Sequence, residues 1–419
     1  MELKRVVVTG IGAVSPLGLN AEETWENMKN GVSGAAPITH FDASLFKTQF
    51  ACEVKGFDPL NFFDRKEMRK LDICQQFAMV AAREAVKDSG MNLDEEDKDE
   101  IGVVLGVGIG GLHTFEDEAG NYAVNGAEQG PKYNPFFIPK MIADMSAGLV
   151  SIEFGFRGPN YVCSSACASS SNAIADAFNL IRLGKANAIL TGGTESAIWP
   201  SGIGGFNALH GLSTRNDDPE GASRPFSASR DGFVVGEGSA ILVLEELEHA
   251  KARGAKIYAE VAGVGISADA HHITASHPEG YGAKLVMQRA LKDAEMQPSD
   301  IDYINVHGTS THVGDISEVK AILAVFGEDA YKLNISSTKS MTGHLLGAAG
   351  AIEAMASVLA VKEDIVPPTI NHAEGDEDEE IDYKLNFTFN KAQHRTVNAA
   401  ISNTFGFGGH NACVVFKKY

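Results

Sequence analysis

NYVCSSACASSSNAIADA, residues 160–177, and NISSTKSMTGHLLGAAGAIEA, residues 334–354, follow one plan: an apolar approach, a turn of small residues, then a helical run. Three further pairs echo each other in the same order. VVVTGIGAVS from Val6 resembles AEVAGVGIS from Ala259, IGVVLGVGIGG from Ile101 resembles IDYINVHGTST from Ile301, and NAILTGGTES from Asn187 resembles NAAISNTFGFGG from Asn398. Each member is a β-branched apolar run closed by a glycine-rich or small-residue turn, so the chain reads as a duplicated unit. Helical patterns lie between the runs, as in QQFAMVAAREAVKDSG from Gln75 and AKLVMQRALKDAEM from Ala283. Alternating strands and helices predict an α/β protein with buried sheets covered by helices. The repeat divides near Gly254, giving halves at 1–254 and 255–419.

The bulk numbers narrow the function. With 419 residues, 44% of them hydrophobic and 21% charged, the chain has enough apolar surface for a large core or two packed units. A formal charge of −20 argues against nucleic-acid binding, which needs a basic footprint. The start, MELKRVVVTG, lacks the apolar stretch of a signal peptide, and no window approaches the ~18 apolar residues of a membrane span. A cytoplasmic protein without membrane insertion is expected, with its five cysteines as reduced thiols. The run EGDEDEEID at 374–382 reads as a solvated loop.

Two cysteines stand four residues apart in YVCSSACASSSN. No further ligands at short spacing suggest zinc, and nothing suggests a disulfide. Cys167 falls where strand turns into helix, and orphan N–H groups and the helix dipole there favour a thiolate. Cys163, back on the strand, reads as a small buried side chain. A thiolate nucleophile needs groups that handle protons or a developing oxyanion, and His307 and His344 sit in corresponding turns of the second half. GVGIGG at 106–111 matches G-x-G-x-x-G, but no acidic residue follows a second strand at the spacing a dinucleotide site requires. The histidines of ADAHHITASH at 268–277 lack companions that would complete a metal site.

SACASS around Cys167, RPFSASRDGFVVGEG at 224–238, HGTST from His307, STKSMTGHLLGAAG from Ser337 and SNTFGFGG from Ser402 together resemble the β-ketoacyl-acyl carrier protein synthases of the thiolase superfamily, most of all the type II, chain-elongating branch. The likeness runs from VVVTGIGAVSPLG to GFGGHN. It implies a duplicated thiolase-like α/β fold, layered α-β-α-β-α with two mixed five-stranded sheets, and decarboxylative condensation of acyl and malonyl thioesters. It implies Cys167 as acyl-accepting nucleophile, His307 and His344 as the histidine pair, Lys339 with Glu353 as an active-site lysine and its carboxylate, and Glu318 as a supporting acid. Phe407 matches the gating phenylalanine, with the backbone N–H groups of Cys167 and Phe407 as oxyanion hole. Thr309 and Thr311 match the threonines that bind the pantetheine arm, and Asp269 and His272 fall on the loop beside the gate.

The implied partners are an acyl carrier protein and a second copy of the chain, and the implied cofactor inventory is empty apart from the 4'-phosphopantetheine that substrates bring. DRKEMRKLD from Asp64 offers a basic patch on an otherwise acidic protein. On a helix, Arg65 with Arg69 and Lys66 with Lys70 form i, i+4 pairs on one face, and the family places carrier-protein docking on such a segment. The chain departs from the family where His312 replaces the proline after HGTST and where His410 precedes Asn411. Alternatives are a polyketide ketosynthase of the same fold, a thiolase using Cys413 as base, a cysteine-dependent thioester hydrolase, and a non-catalytic partner subunit, which would lack the nucleophile.

Overall fold

The computed structural model describes residues 3–419, the side chain of Ala127 excepted. The β-branched apolar runs become strands: β1 (Val6–Val14), β2 (Ile101–Gly106), β3 (Asn160–Cys163), β4 (Ala188–Glu195), β5 (Gly238–Glu246), β6 (Ala259–Ala268), β7 (Tyr303–Asn305), β8 (Asn334–Ser336), β9 (Ala399–Gly406) and β10 (His410–Lys417). β1, β2, β4 and β5 are buried along their whole length, as strands covered on both faces must be.

The two halves have one topology. The first runs β3-β2-β4-β5-β1 and the second β8-β7-β9-β10-β6. In each, the first two pairings are parallel and the last two antiparallel. The four sequence echoes occupy equivalent strands. The two five-stranded sheets are not separate, however: Val6–Val8 of β1 pairs antiparallel with Ala259–Val261 of β6, making one ten-stranded sheet. This edge-to-edge pairing joins segments about 250 residues apart, which no local pattern announces.

Helices complete the layers. On the outside, α1 (Ile73–Ser89) covers β1 and β5, and α3 (Tyr281–Asp293) covers β6 and β10. Asp72 and Gln75 form a capping box at the start of α1, and Gly90, at φ +65°, closes its end. In the middle, α2 (Ser169–Arg182) lies on β2 and β4 and reaches β10, while α5 (Ala349–Glu363) lies on β9 and reaches β5. The central helices cross at small residues: Ser170 Oγ accepts from Ala351 N at 3.0 Å, and a Cβ on Gly350 would stand 2.0 Å from Ser171 Oγ. A fifth helix, α4 (His312–Phe326), follows β7. Among the described residues no helix is long and apolar enough to cross a membrane, and all five cysteines are free.

Two local expectations are corrected. The acidic run 374–382 is not a merely solvated loop: Asp376 accepts from Ser229 N and Oγ at 2.8 and 2.6 Å, and Asp378 pairs at 2.8 Å with Arg230, whose side chain is buried. The basic segment gives only one helical turn, Arg65–Met68, capped by Asp64, so neither i, i+4 pair lies within a helix.

Candidate active site

Four strand ends bring Cys167, His307, His344 and Phe407 to one cavity of about 520 Å³, with Lys339 buried outside its lining. β3 leads to Cys167, β7 to His307, β8 to Lys339 and His344, and β9 to Phe407. The turns are tightly built. Ala166, Ser310 and Leu346 have positive φ at 52°, 69° and 49°, a strained arrangement for non-glycine residues that concentrates at functional sites.

Cys167 stands two residues before α2, and His344 Nε2 lies 3.0 Å from its Sγ. The His307 and His344 rings meet edge to face with centroids 5.3 Å apart. Burial, reinforced by the nearby Lys339 ammonium, holds both imidazoles well below the ordinary histidine range, so both are neutral near pH 7. For His307 the neighbouring ring adds to the effect. Both Nδ1 atoms are buried and unpaired among the described residues.

The thiol departs from the dipole argument. Burial pushes Cys167 up to about 12, against Lys339 and the N–H groups of Phe407 and Cys167 itself, which pull it down. A helix start lowers a thiol where water reaches it; here desolvation outweighs the dipole. Cys163 is only half-buried rather than fully so, with Sγ 3.3 Å from Asp176 Oδ2, and it too is raised to about 12. Cys413 is buried inside β10 and does not line the cavity, which removes it as a thiolase-type base.

Around the reacting groups, Lys339 and Glu353 form a buried ion pair. Glu318 reaches from α4 to accept from the backbone N–H of His307 at 3.0 Å and Gly308 at 2.8 Å, fixing that turn. Thr309 and Thr311 line the cavity with hydroxyls 2.9 Å apart, and Phe407 lines it beside Cys167. Asp269 lines it as well, with Asp269 N bonded to Gly409 O and Gly408 N to Ile273 O, so the 269–273 segment rests against the phenylalanine turn. His272 does not line the cavity: its Nδ1 accepts from Thr274 and Ala275 N at 3.2 and 3.1 Å, tying down its own loop.

His312 lines the mouth, and its ring reaches Asp378 at 3.6 Å, whereas His410 lies outside, its ring beside Gly408. Arg65, Lys66, Arg69 and Lys70 are all exposed and stand outside the cavity. Arg69 instead borders a surface groove with Lys132, Lys140, Tyr133 and Phe136, and Lys70 sits over the Phe136 ring at 5.8 Å.

Sequence reasoning missed Glu195, a fully buried carboxylate on the cavity wall whose partners are backbone N–H groups of Gly108, Ile109, Gly110 and Gly347. The signal was the GVGIGG run itself. Its amides cradle an internal carboxylate where a nucleotide site would take a phosphate. Arg230, whose Nη2 donates to His312 O at 2.9 Å, was also missed.

Comparison with known proteins agrees with this geometry. Residues 3–250 match the model of the beta-ketoacyl synthase N-terminal domain and residues 258–373 that of the C-terminal domain. A 3-oxoacyl-[acyl-carrier-protein] synthase 2 of Synechocystis is 49% identical, covering 100% of this chain and 99% of the relative. That of Staphylococcus aureus is 50% identical, covering 99% of each. Among solved structures, a beta-ketoacyl synthase from Burkholderia phymatum superposes with TM-score 0.90 at 35% identity, over 99% of this chain and 100% of that one. A type II polyketide acyl-carrier protein in complex with its ketosynthase gives TM-score 0.90 at 33% identity over 100% of both chains.

Proposed function

The chain belongs to the β-ketoacyl synthase family, and from that membership we propose that it is a 3-oxoacyl-acyl carrier protein synthase, elongating fatty acyl chains by two carbons. The observation that carries the reading is the meeting of Cys167 with two neutral histidines in one cavity.

Cys167 Sγ attacks the acyl thioester; its C–S bond to the pantetheine sulfur breaks, and the arm leaves as a thiol with the proton Cys167 gives up. Malonyl thioester then enters and loses carbon dioxide, and the electrons of the broken C–C bond form an enolate. Its carbon attacks the acyl-Cys167 carbonyl, the Cys167–acyl bond breaks to leave a thiolate that takes up a proton from solvent, and a 3-oxoacyl thioester two carbons longer is released. Because the imidazoles are neutral, each can present Nε2–H to the enolate oxygen, a donor contributing about 3 kcal/mol. The N–H groups of Cys167 and Phe407, which act to lower the thiol, serve as oxyanion hole during acyl transfer. Burial keeps the histidines neutral, and the charge of Lys339, paired with Glu353, adds to it. Thr309 and Thr311 take the pantetheine arm, with Asp269 beside the gate, and Phe407 closes the acyl end against water.

No resident cofactor is required, since the phosphopantetheine arrives on the substrate. The carrier protein would dock on the exposed patch of Arg65, Lys66, Arg69 and Lys70. A homodimer is proposed through β3, an edge strand with one side unpaired and with Tyr161 and Ile152 exposed beside it. A cytoplasmic location accords with this chemistry. The polyketide reading is favoured by the polyketide ketosynthase likeness, but at 33% identity against about 50% for the fatty acid enzymes. Incubation with acyl and malonyl carrier-protein thioesters, followed by mass spectrometry, tests the proposal. A product extended once by two carbons supports it, repeated extension supports the polyketide reading, and free acid alone overturns both in favour of a hydrolase.

A further inference from the structure

Glu195 ends β4 with no water contact, yet its oxygens are saturated by main chain alone. Oε2 accepts from Gly108 N at 3.0 Å and Gly347 N at 3.1 Å, and Oε1 from Ile109 N and Gly110 N, both at 3.1 Å. The donors come from two loops, one following β2 in the first half and one following His344 in the second. A Cβ on Gly108 would stand 2.5 Å from Oε2 and one on Gly347 2.6 Å, so the glycines make room for this carboxylate. Burial raises Glu195 to about 7 against the pull of the four N–H groups.

The clamp bears most directly on the apolar wall, and it meets the nucleophile's turn only through its charge near Cys167 and a 3.4 Å contact from Ser164 Oγ to Gly108 O. Ile109 and Leu346, immediately beside the clamped glycines, both line the cavity. The reacting residues have anchors of their own. His344 N donates to Val234 O at 2.7 Å and His344 O accepts from Gly236 N at 2.9 Å, while the Cys167 turn is closed by Ala168 N to Ser165 O and Ser165 N to Ser169 Oγ. We propose that Glu195 is a positioning residue for acyl-chain discrimination: by tying the 108–110 loop to Gly347 it fixes how far Ile109 and Leu346 stand from the acyl group on Cys167. This rests on the condensing function proposed above.

The test compares wild type with Glu195→Gln and Gly108→Ala. The amide offers one acceptor oxygen and turns an NH₂ toward N–H donors, releasing at least one loop. Gly108→Ala attacks the same contact from the other side while keeping the carboxylate, and Gly108 lies outside the left-handed region, so its backbone tolerates the methyl. Condensation with carrier proteins bearing short, medium and long saturated acyl chains is measured beside malonyl decarboxylation in the absence of an acyl group. Apolar walls discriminate one methylene by roughly 10–200-fold. Both variants are expected to flatten the wild-type chain-length profile by about tenfold while decarboxylation stays within about twofold of wild type. An unchanged profile in both variants, or equal loss of decarboxylation and condensation, overturns the proposal. Failure of wild type to condense any chain would instead overturn the function itself.

Discussion

The turn after β3 and the turn after β8 hold equivalent places in the two halves, yet they have diverged in length and chemistry. The first runs from Cys163 to Ser169 and carries a thiol directly onto the start of α2. The second runs from Ser336 to Ala349, passes through two short helical turns, and carries His344 to the same cavity with Lys339 buried beside it. Because the central helices cross at Ser170, Ser171, Gly350 and Ala351, the two turns face each other within hydrogen-bonding distance. Duplication thus supplies two walls of one site, and under the proposed function the first would capture the acyl group while the second, with His307, would handle the enolate.

The largest effect expected from breaking this division is at the short turn. Cys167→Ala abolishes acyl-enzyme formation in intact-protein mass spectrometry, while Cys163→Ala, altering a thiol directed at Asp176, retains most of it. Acylation of Cys163 in wild type would dissolve the comparison.

At the long turn, Lys339→Met leaves Glu353 buried without its partner, a change that costs about 3–5 kcal/mol when the remaining group stays charged. Thermal unfolding should show the loss, and Glu353→Gln added to it should restore part. The same variant sharpens the pH argument. With both histidines well below the usual range, wild-type decarboxylation should hold level from pH 8 down to 6.5 and decline only at lower pH, as the imidazoles take up protons. Removing the Lys339 charge raises both histidines, so the decline should begin at higher pH; an unshifted profile would separate Lys339 from the histidines.

Much of this was legible in the sequence because it is local. The four echoes are strand-and-turn patterns, and Cys167, His307 and His344 each close one, whereas Phe407, Lys339, Glu353 and Glu318 were named only by the family resemblance. What stayed hidden depends on distant pairing. The β1–β6 joint, the pairing of Asp378 with buried Arg230 and the Glu195 clamp each unite segments far apart in the chain. The thiol was misjudged for a related reason, since the helix start is visible in sequence and the desolvation that outweighs it is not. The basic segment looked helical by spacing, but Asp64 caps a single turn that ends at Met68.

Smaller effects are expected at the rim. Phe407→Ala should slow acyl loading several-fold or weaken discrimination between chain lengths, since it removes an apolar cover rather than a reacting group. Wild-type loading rates across all lengths would reject the gating role. Least of all, Lys66→Glu with Lys70→Glu should raise KM for carrier-bound substrates a few-fold at low salt and leave a short pantetheine thioester unaffected, since screened surface charges act mainly on encounter. Equal losses on both substrates would point to misfolding rather than docking.

The division of labour between the Cys167 turn and the histidine turns after β7 and β8 is tested most directly in the double variant His307→Ala with His344→Ala, given an acyl thioester and labelled malonyl thioester. Intact mass and carbon dioxide release are read together. The account predicts Cys167 carrying the acyl group, with decarboxylation reduced by about 10²–10³ or more and no extended product. Wild-type carbon dioxide release, or a Cys167 that no longer accepts the acyl group, would contradict it.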